Sequence, residues 1–372
     1  MHKLKFCKIC LIPNTRPNIF FNKKDICNVC STKNSINWTK RKKEFLQIVK
    51  SAKKMKQSYD CLIPVSGGKD STWQVMLALK YKLKPLCITW RSPARNKIGE
   101  DNLKNLISLG VDHIDFTINP IKERYFILES FKKFGTTLIP MHMAMHGIVV
   151  KTAIEKKIPL IIWGENSAEE YGGEEKLKGK FLTNKWRKVY GNTNNTSAFD
   201  WIDKKLSKKD MTPYTLPKQE KINKKKIKEI FLSYFFKWDP KKTYLFSKKY
   251  GFKPALKPKT GFYKYADIDD EFLVTIHHWL KWYKFGFSRM WDNLAIEIRN
   301  KRINKSKAIK KIIEIEKKIP KKEISKFCNY VKIKEKTFYK ICEKFRNKDI
   351  WYKKKKNWFI KNSIISNWHW VK

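Results

Sequence analysis

The sequence predicts an α/β fold built on a parallel sheet, preceded by a small cysteine-rich ribbon and followed by a mostly helical domain. Three observations predict it. Short apolar runs alternate with amphipathic helical patterns between residues 61 and 163. Two Cys-x2-Cys pairs fall within the first thirty residues. From about residue 266 onward the apolar spacing is helical. The expected divisions are 1–35 for the ribbon, 36–200 for the sheet domain and 201–372 for a helical domain open to substrate or partner contacts.

Each element follows from its local pattern. Trp38, Phe45, Ile48 and Val49, set among Lys and Glu, give residues 36–57 the spacing of an amphipathic helix. Cys61–Val65 is a short apolar run that reads as a buried strand, and a helical pattern from Trp73 to Leu79 follows it. Pro85–Trp90 is a second strand, 102–109 a second helix stopped by Gly110, and His113–Phe116 a third strand. Residues 121–134 and 141–157 read as helices, and Pro159–Trp163 as another buried strand. Residues 174–260 mix Lys runs, Asn-rich turns and aromatics, with an apolar patch at 231–236. Helical spacing then continues through 272–283, 305–317, 321–331 and 334–346. Ligands of parallel sheets bind beyond the carboxyl ends of the strands. Ser66–Ser71 and Gly164–Gly173 both follow strand ends, so they are expected to share one crevice.

Composition narrows the classes. The 372 residues are 42% hydrophobic, enough for a real core, and no run approaches a membrane span. The first seven residues lack the apolar region of a secretory signal, which makes the cytoplasm the expected location. Lys and Arg total 83 against 34 Asp and Glu, a formal charge of +49. A polyanionic partner, such as tRNA or an anionic membrane surface, is one reading. Only 10 of the 83 are Arg, however, and Lys rises together with Ile and Asn, as in an AT-rich coding sequence. Runs such as 224–226 and 353–356 read as solvated faces.

Two motifs carry chemistry by spacing alone. Cys7-x2-Cys10 and Cys27-x2-Cys30, sixteen residues apart, suit a closed tetrahedral zinc site with Zn–S near about 2.3 Å, structural because no position is left for substrate. Ser66-Gly67-Gly68-Lys69-Asp70-Ser71 follows a strand and opens a helix. Its glycines let the backbone approach a phosphate, and helix N–H groups, two hydroxyls and Lys69 make an anion cradle. The spacing is not that of a Walker A loop. As a loop at a strand end it is expected to be exposed and to add little to the core.

The string Val65–Ser71 resembles the pyrophosphate-binding motif of the PP-loop ATP pyrophosphatases, which adenylylate an oxygen and release pyrophosphate. With the paired cysteines, Pro64–Thr72, Trp163-Gly164-Glu165-Asn166, Glu170-Tyr171-Gly172-Gly173, Gly261–Asp270, Lys284–Arg289 and Glu297–Arg299, the whole chain resembles the bacterial N-acetyl sugar amidotransferases of lipopolysaccharide or flagellin sugar synthesis. That resemblance implies conversion of a sugar acetamido group to acetamidino, with ATP and Mg²⁺. It also implies ammonia from a separate glutaminase subunit, often with a cyclase-like companion. The implied catalytic residues are Lys69, Asp70 and Glu165, and Ser66–Ser71 with Gly164 would bind ATP. Asp70, Glu165, Glu169 and Glu170 are the carboxylates nearest a metal on the phosphates. Asn166, Glu170, Tyr171, Tyr263, Lys264, Tyr265 and Asp269 are the expected sugar contacts. The residues at 174–212 depart most from the family, and substrate contacts are expected to differ there.

Two rival readings stay open on the residues. The ribbon and the charge suit a PP-loop tRNA-modifying enzyme, but many thiolases of that kind need a later Cys-x2-Cys pair. Here Cys61, Cys87, Cys328 and Cys342 are isolated in apolar contexts and read as core. A zinc-ribbon nucleic-acid-binding module would not need the intact Ser66–Ser71 loop. His142 and His146, spaced i, i+4, share a helix face and read as packing or substrate hydrogen bonding, and His277-His278 as structural.

Overall fold

A computed structural model of the chain describes residues 4–31, 36–315, 319–355 and 357–364. Five parallel strands form one sheet in the order β3-β2-β1-β4-β5: β1 Cys61–Pro64, β2 Pro85–Trp90, β3 Asp112–Phe116, β4 Leu160–Trp163 and β5 Lys228–Phe231. Successive side chains of a strand point to opposite faces. Leu62, Leu86, Ile88 and Ile161 therefore enter one apolar core with helices Pro120–Phe134 and Ile139–Glu155. Cys61, Ile63, Cys87, Leu160 and Ile162 enter the other, under helices Trp38–Lys54, Lys69–Lys80 and Lys97–Ile107. Both faces are covered, which is why these strands read as nearly continuous apolar runs.

Local chemistry sets the helix ends. Asn37, Asn96 and Asn119 cap the helices that follow them, each accepting from a first-turn backbone N–H. Pro120 occupies the first turn, where its missing N–H costs nothing, and Gly135 ends that helix in the left-handed conformation.

Two elements differ from expectation. The fifth strand comes from 228–231, beyond residue 200, in a segment with no strand pattern. Its outer edge is covered: Leu182 N–H donates to Glu229 O at 3.0 Å and Phe231 N–H to Lys180 O at 2.9 Å. The C-terminal region is helical at Leu273–Phe285, Arg289–Arg299, Lys305–Ile315, Lys321–Val331 and Glu335–Lys344, but closes on an antiparallel hairpin, β6 Trp351–Lys354 with β7 Asn357–Ile360. Arg346 organises that hairpin, its guanidinium lying 4.4–4.7 Å from the rings of Tyr283, Trp351 and Trp358. Lys353 and Lys354 are exposed, as a solvated run should be. Residues 32–35, 316–317 and Lys356, which carried parts of the expected ribbon, helix and Lys run, lie outside the described residues.

The flanking regions dock on the sheet domain. Ile127 and Phe131 pack with Ile276, Phe327 and Phe338 of the C-terminal helices. Cys7, Cys10, Ile12 and Cys27 pack with Ala295. No described helix is long and apolar enough to cross a membrane.

Candidate active site

The strand order reverses direction between β1 and β4, and a crevice opens beyond the carboxyl ends of those strands. Both motifs meet there. A cavity of about 380 Å³ is lined by Ser66, Asp70 and Ser71 on one side and by Gly164 and Glu165 on the other, with Asp269 and Asp270 from the C-terminal region.

The loop after β1 is held by its own side chains. Ser66 N–H donates to Ser71 Oγ at 3.0 Å, and Gly68 N–H to Ser66 Oγ at 3.3 Å. Gly67 sits at φ +84°, and a Cβ there would lie 2.6 Å from the backbone nitrogen of Leu103. The sequence needs glycine at this position for both its backbone angle and its close approach. Gly67→Ala is therefore expected to cost roughly 1–3 kcal/mol of stability through strain. Thermal melting together with ATP binding checks this; wild-type values for both would show that the turn tolerates a side chain. The first-turn N–H groups of helix Lys69–Lys80 have no partner inside the helix and open toward the loop.

The loop is not exposed throughout, contrary to its expected character: Lys69 and Ser71 are only 5% and 6% exposed. The reason is tertiary. Lys69 pairs with Asp70 and lies 5.7 Å from the Trp238 ring centroid. Trp238 Nε1–H donates to Asp70 Oδ1 at 2.9 Å, and Ser247 Oγ–H donates to the Lys69 carbonyl at 2.5 Å. Trp238 and Ser247 lie in a stretch that carries no recognisable functional motif.

Burial pushes the Glu165 carboxyl up, and the neighbouring Asp70 charge adds to this, partly offset by Lys69 and Arg289. Burial likewise raises Asp269, which faces Ser66, and pushes Asp270 up to about 7. Asp270 accepts from Val274 N–H at 3.0 Å and from Ser92 Oγ–H at 3.1 Å. Glu165 and Asp269 thus give the cavity carboxylate oxygens, the kind of donor Mg²⁺ takes, while both oxygens of Asp70 are engaged, Oδ1 by Trp238 and Oδ2 by Lys69.

The remaining expected sugar contacts lie elsewhere. Asn166 is fully buried and its amide is saturated: Oδ1 accepts from Ala168 N–H and Trp186 Nε1–H, both at 2.9 Å, and Nδ2–H donates to Leu177 O and Gly179 O. Tyr171 packs against the guanidinium groups of Arg16 and Arg289, each 5.3 Å from its ring centroid. Burial pushes Glu170 up to about 8, and its carbonyl accepts from Arg299 at 3.0 Å. Tyr263 donates to Glu297 at 2.5 Å and stacks on Tyr265, which stacks on Tyr244. Lys264 is exposed and does not line the cavity. Of this group only Asp269 reaches the cavity. Glu169 is paired with Arg41 at 3.5 Å.

Sequence reasoning missed much of the apolar wall, including Trp90, Met141, Met145 and Trp186. Met141, His142, Met145 and His146 repeat at helical spacing on one face of helix Ile139–Glu155, the signal that could have found that side. The two histidines do sit at the cavity. His142 Nδ1 bonds the Leu138 carbonyl at 2.8 Å, and burial keeps both imidazoles below their usual range. His277 and His278 bond Thr136 and Thr260 and serve packing, as expected.

The four ribbon thiols converge. Cys7, Cys10, Cys27 and Cys30 place their sulfurs within 4.8 Å of one another, with Cys10 and Cys27 3.7 Å apart. A tetrahedral ion with Zn–S of about 2.3 Å needs sulfurs about 3.8 Å apart, so the cluster fits zinc. Arg299 links it to the segment that follows Glu165, lying 3.9 Å from Cys10 Sγ while donating to Glu170 O. Beneath, Asp292 joins Arg16 at 2.7 Å, Lys281 at 2.7 Å and Arg289 at 3.6 Å. These cations hold its carboxyl far below the usual range despite burial.

Comparison with known proteins adds a family at one end. The chain is similar to "Uncharacterized protein MJ1599" of Methanocaldococcus jannaschii, 34% identical over 128 residues, which is 31% of this chain and 46% of that protein. It thus spans less than half the length of the curated relative it matches. Among solved structures it is similar to the NMN synthetase of Francisella tularensis (16% identity, TM-score 0.27, covering 60% of this chain and 100% of that one). A predicted subunit of tRNA methyltransferase from M. jannaschii gives 15% identity and a TM-score of 0.31 over 62% of this chain and 91% of that one. The NH3-dependent NAD synthetase of Campylobacter jejuni gives 14% and 0.29 over 60% and 100%. At such TM-scores these likenesses bear on no chemistry. Residues 259–364, which carry Asp269 and Asp270 into the cavity and the helices that pack on the ribbon, match the family described as LPS biosynthesis protein WbpG-like, C-terminal domain.

Proposed function

We propose that this chain is an ATP-dependent amidotransferase of surface-sugar biosynthesis, converting a sugar acetamido group to acetamidino. The observation that carries the reading is the junction of the Ser66–Ser71 loop, Glu165 and Asp269 in one cavity, with Asp269 supplied by the WbpG-like segment. An amide oxygen is a poor leaving group. Its attack on the α-phosphorus of ATP forms a P–O bond and breaks the bond to pyrophosphate, giving an O-adenylyl imidate. Ammonia adds to the imidate carbon, the C–O bond breaks and AMP leaves with the original amide oxygen. The amidine keeps the ammonia nitrogen.

In this reading the loop N–H groups and Lys69 receive the departing pyrophosphate. Asp70 orients Lys69. Glu165 and Asp269 would hold Mg²⁺, which supplies charge neutralisation on the phosphates. Glu165, whose carboxyl is raised by burial and by Asp70, would exchange a proton as ammonia adds. Ammonia is mostly ammonium at neutral pH, so a docked glutaminase that delivers NH3 internally would raise the reactive form beside the adenylate.

The test supplies ATP, an N-acetylated sugar and a nitrogen source to the full chain. Product in which NH replaces O is expected with ammonium at alkaline pH and not with glutamine alone; adding the cognate glutaminase should restore glutamine use at neutral pH. Full activity with glutamine from this chain alone would overturn the two-component reading. Pyrophosphate release that no N-acetylated sugar stimulates would overturn the sugar reading.

A further inference from the structure

A second cavity, of about 350 Å³, lies behind the first. Its walls are Met143 and His146 of helix Ile139–Glu155, helix Asn184–Tyr190, the loop 193–200 and the strap 214–216. His146 lines both cavities, so its side chain stands at the boundary between them. That ring lies 5.0 Å from Trp163 and 6.4 Å from Trp186, centroid to centroid. The volume falls within the roughly 300–1,000 Å³ of small-molecule sites.

The wall chemistry selects the occupant. Arg187 is the buried cation of this wall, but it is neutralised by Glu229 at 2.5 Å, and Glu229 also accepts from Trp163 Nε1–H at 3.0 Å. Asp200 is occupied by the Ser197 N–H and hydroxyl at 2.7 and 2.9 Å. What is left facing the space is the ammonium of Lys188 at the exposed rim and the amide and hydroxyl groups of Asn184, Thr193 and Asn195, beside the apolar Met143, Phe199 and Leu216. Inside that rim the wall suits an uncharged ring with hydroxyl edges and apolar faces. Hydrogen-bonding capacity is also unfilled here. His146 Nδ1, Arg187 Nε and Tyr214 OH, all on residues of this wall, are buried without a partner among the described residues. Unpaired buried polar atoms are uncommon in a completed site.

The wall is built to hold its shape. Gly147 abuts the strap, where a Cβ would come 2.5 Å from Pro213 O. Trp186 is fixed by its bond to Asn166, which explains a fully buried asparagine just past a strand end.

We infer that this second cavity seats the ring of the N-acetylated sugar, with the acetamido group at His146, at the boundary with the cavity of the Ser66–Ser71 loop. The inference rests on the sugar reading above and moves the sugar site away from Tyr263–Tyr265. His146, buried and neutral, can donate to or accept from the acetamide without adding charge.

The test uses the full zinc-loaded chain with N-acetylglucosamine, N-acetylgalactosamine and their UDP-linked forms, each added separately. Hydrogen exchange is expected to slow at 193–200 and 212–216. Asn195→Trp and Phe199→Ala, both at exposed positions, are expected to raise KM for the sugar by about tenfold or more while KM for ATP stays put. Sugar-dependent turnover with slowed exchange confined to 261–270, or with both variants at wild-type KM, would overturn the location and leave the sugar reading standing. Neither turnover nor slowed exchange with any of the four sugars would overturn both.

Discussion

Alanine at Lys69 or Asp70 is expected to lower ATP-dependent pyrophosphate release by about 10²–10³-fold, the usual cost of removing a preorganised charge partner at a site of developing negative charge. The two substitutions should differ in stability. The Lys69 side chain is 6% exposed and that of Asp70 is 30% exposed. Asp70→Ala strands a buried ammonium and removes the acceptor of Trp238 Nε1–H, and losing one partner of a buried ion pair costs about 3–5 kcal/mol. Lys69→Ala removes the Lys69 charge that offsets Asp70 at Glu165, which should raise the Glu165 carboxyl further. Asp70→Asn keeps an acceptor for Trp238 and separates the charge effect from the packing effect. Pyrophosphate release and thermal melting of all three variants check this; wild-type turnover from both alanine variants would remove the loop from the ATP chemistry.

Removing the ribbon metal is expected to reach the crevice as well as the ribbon. Structural zinc in zinc-finger peptides contributes about 10–16 kcal/mol of apparent binding energy, so Cys27→Ser should lose the ion and unfold much of 4–31. Arg16 is in that segment, and it holds Tyr171 and Asp292. Arg299 would also lose the thiolate beside it and with it some hold on the Glu170 carbonyl. The expected result is a zinc content near zero, a lower melting temperature and a raised KM for ATP, read by metal analysis, calorimetry and kinetics. An unchanged zinc content in Cys27→Ser, or no zinc in freshly purified wild type, would dismiss the site.

The parts legible in the sequence were those with a local cause. Strands β1, β2 and β4 are apolar on both sides because both faces of the sheet are covered, and a continuous apolar run survives any context. The loop after β1 was legible because a glycine pair between a strand and a helix has few other uses. The fifth strand was not. Its residues Lys228-Glu229-Ile230-Phe231 mix charge with apolar groups, and Glu229 is admitted to the core only by Arg187, 42 residues away. Tyr263 and Tyr265 looked like sugar contacts because polar and aromatic groups alternate there. Their hydroxyl and stacking partners, Glu297 and Tyr244, are distant in sequence and claim them for packing. Asn166 misled for the same reason: a conspicuous amide after a strand end serves as a four-way brace. The depth of Lys69 could not be read either, since Trp238 and Ser247 come from more than 160 residues downstream.

The late arrival of β5 has a consequence for how the chain must be made. While the first 200 residues emerge from the ribosome, β4 has a neighbour on one side only, β1, and its other edge is bare. A bare edge on a nearly all-apolar strand is a template for another nascent chain. That edge is sealed only once residues 228–231 pair with β4, while the backbone at 180–182 shields the outer side of β5. The sheet therefore closes late, and the interval before closure is when association between unfinished copies competes with folding. The dense positive charge of the chain, +49 overall, works against that competition by mutual repulsion, whatever its origin in the coding sequence.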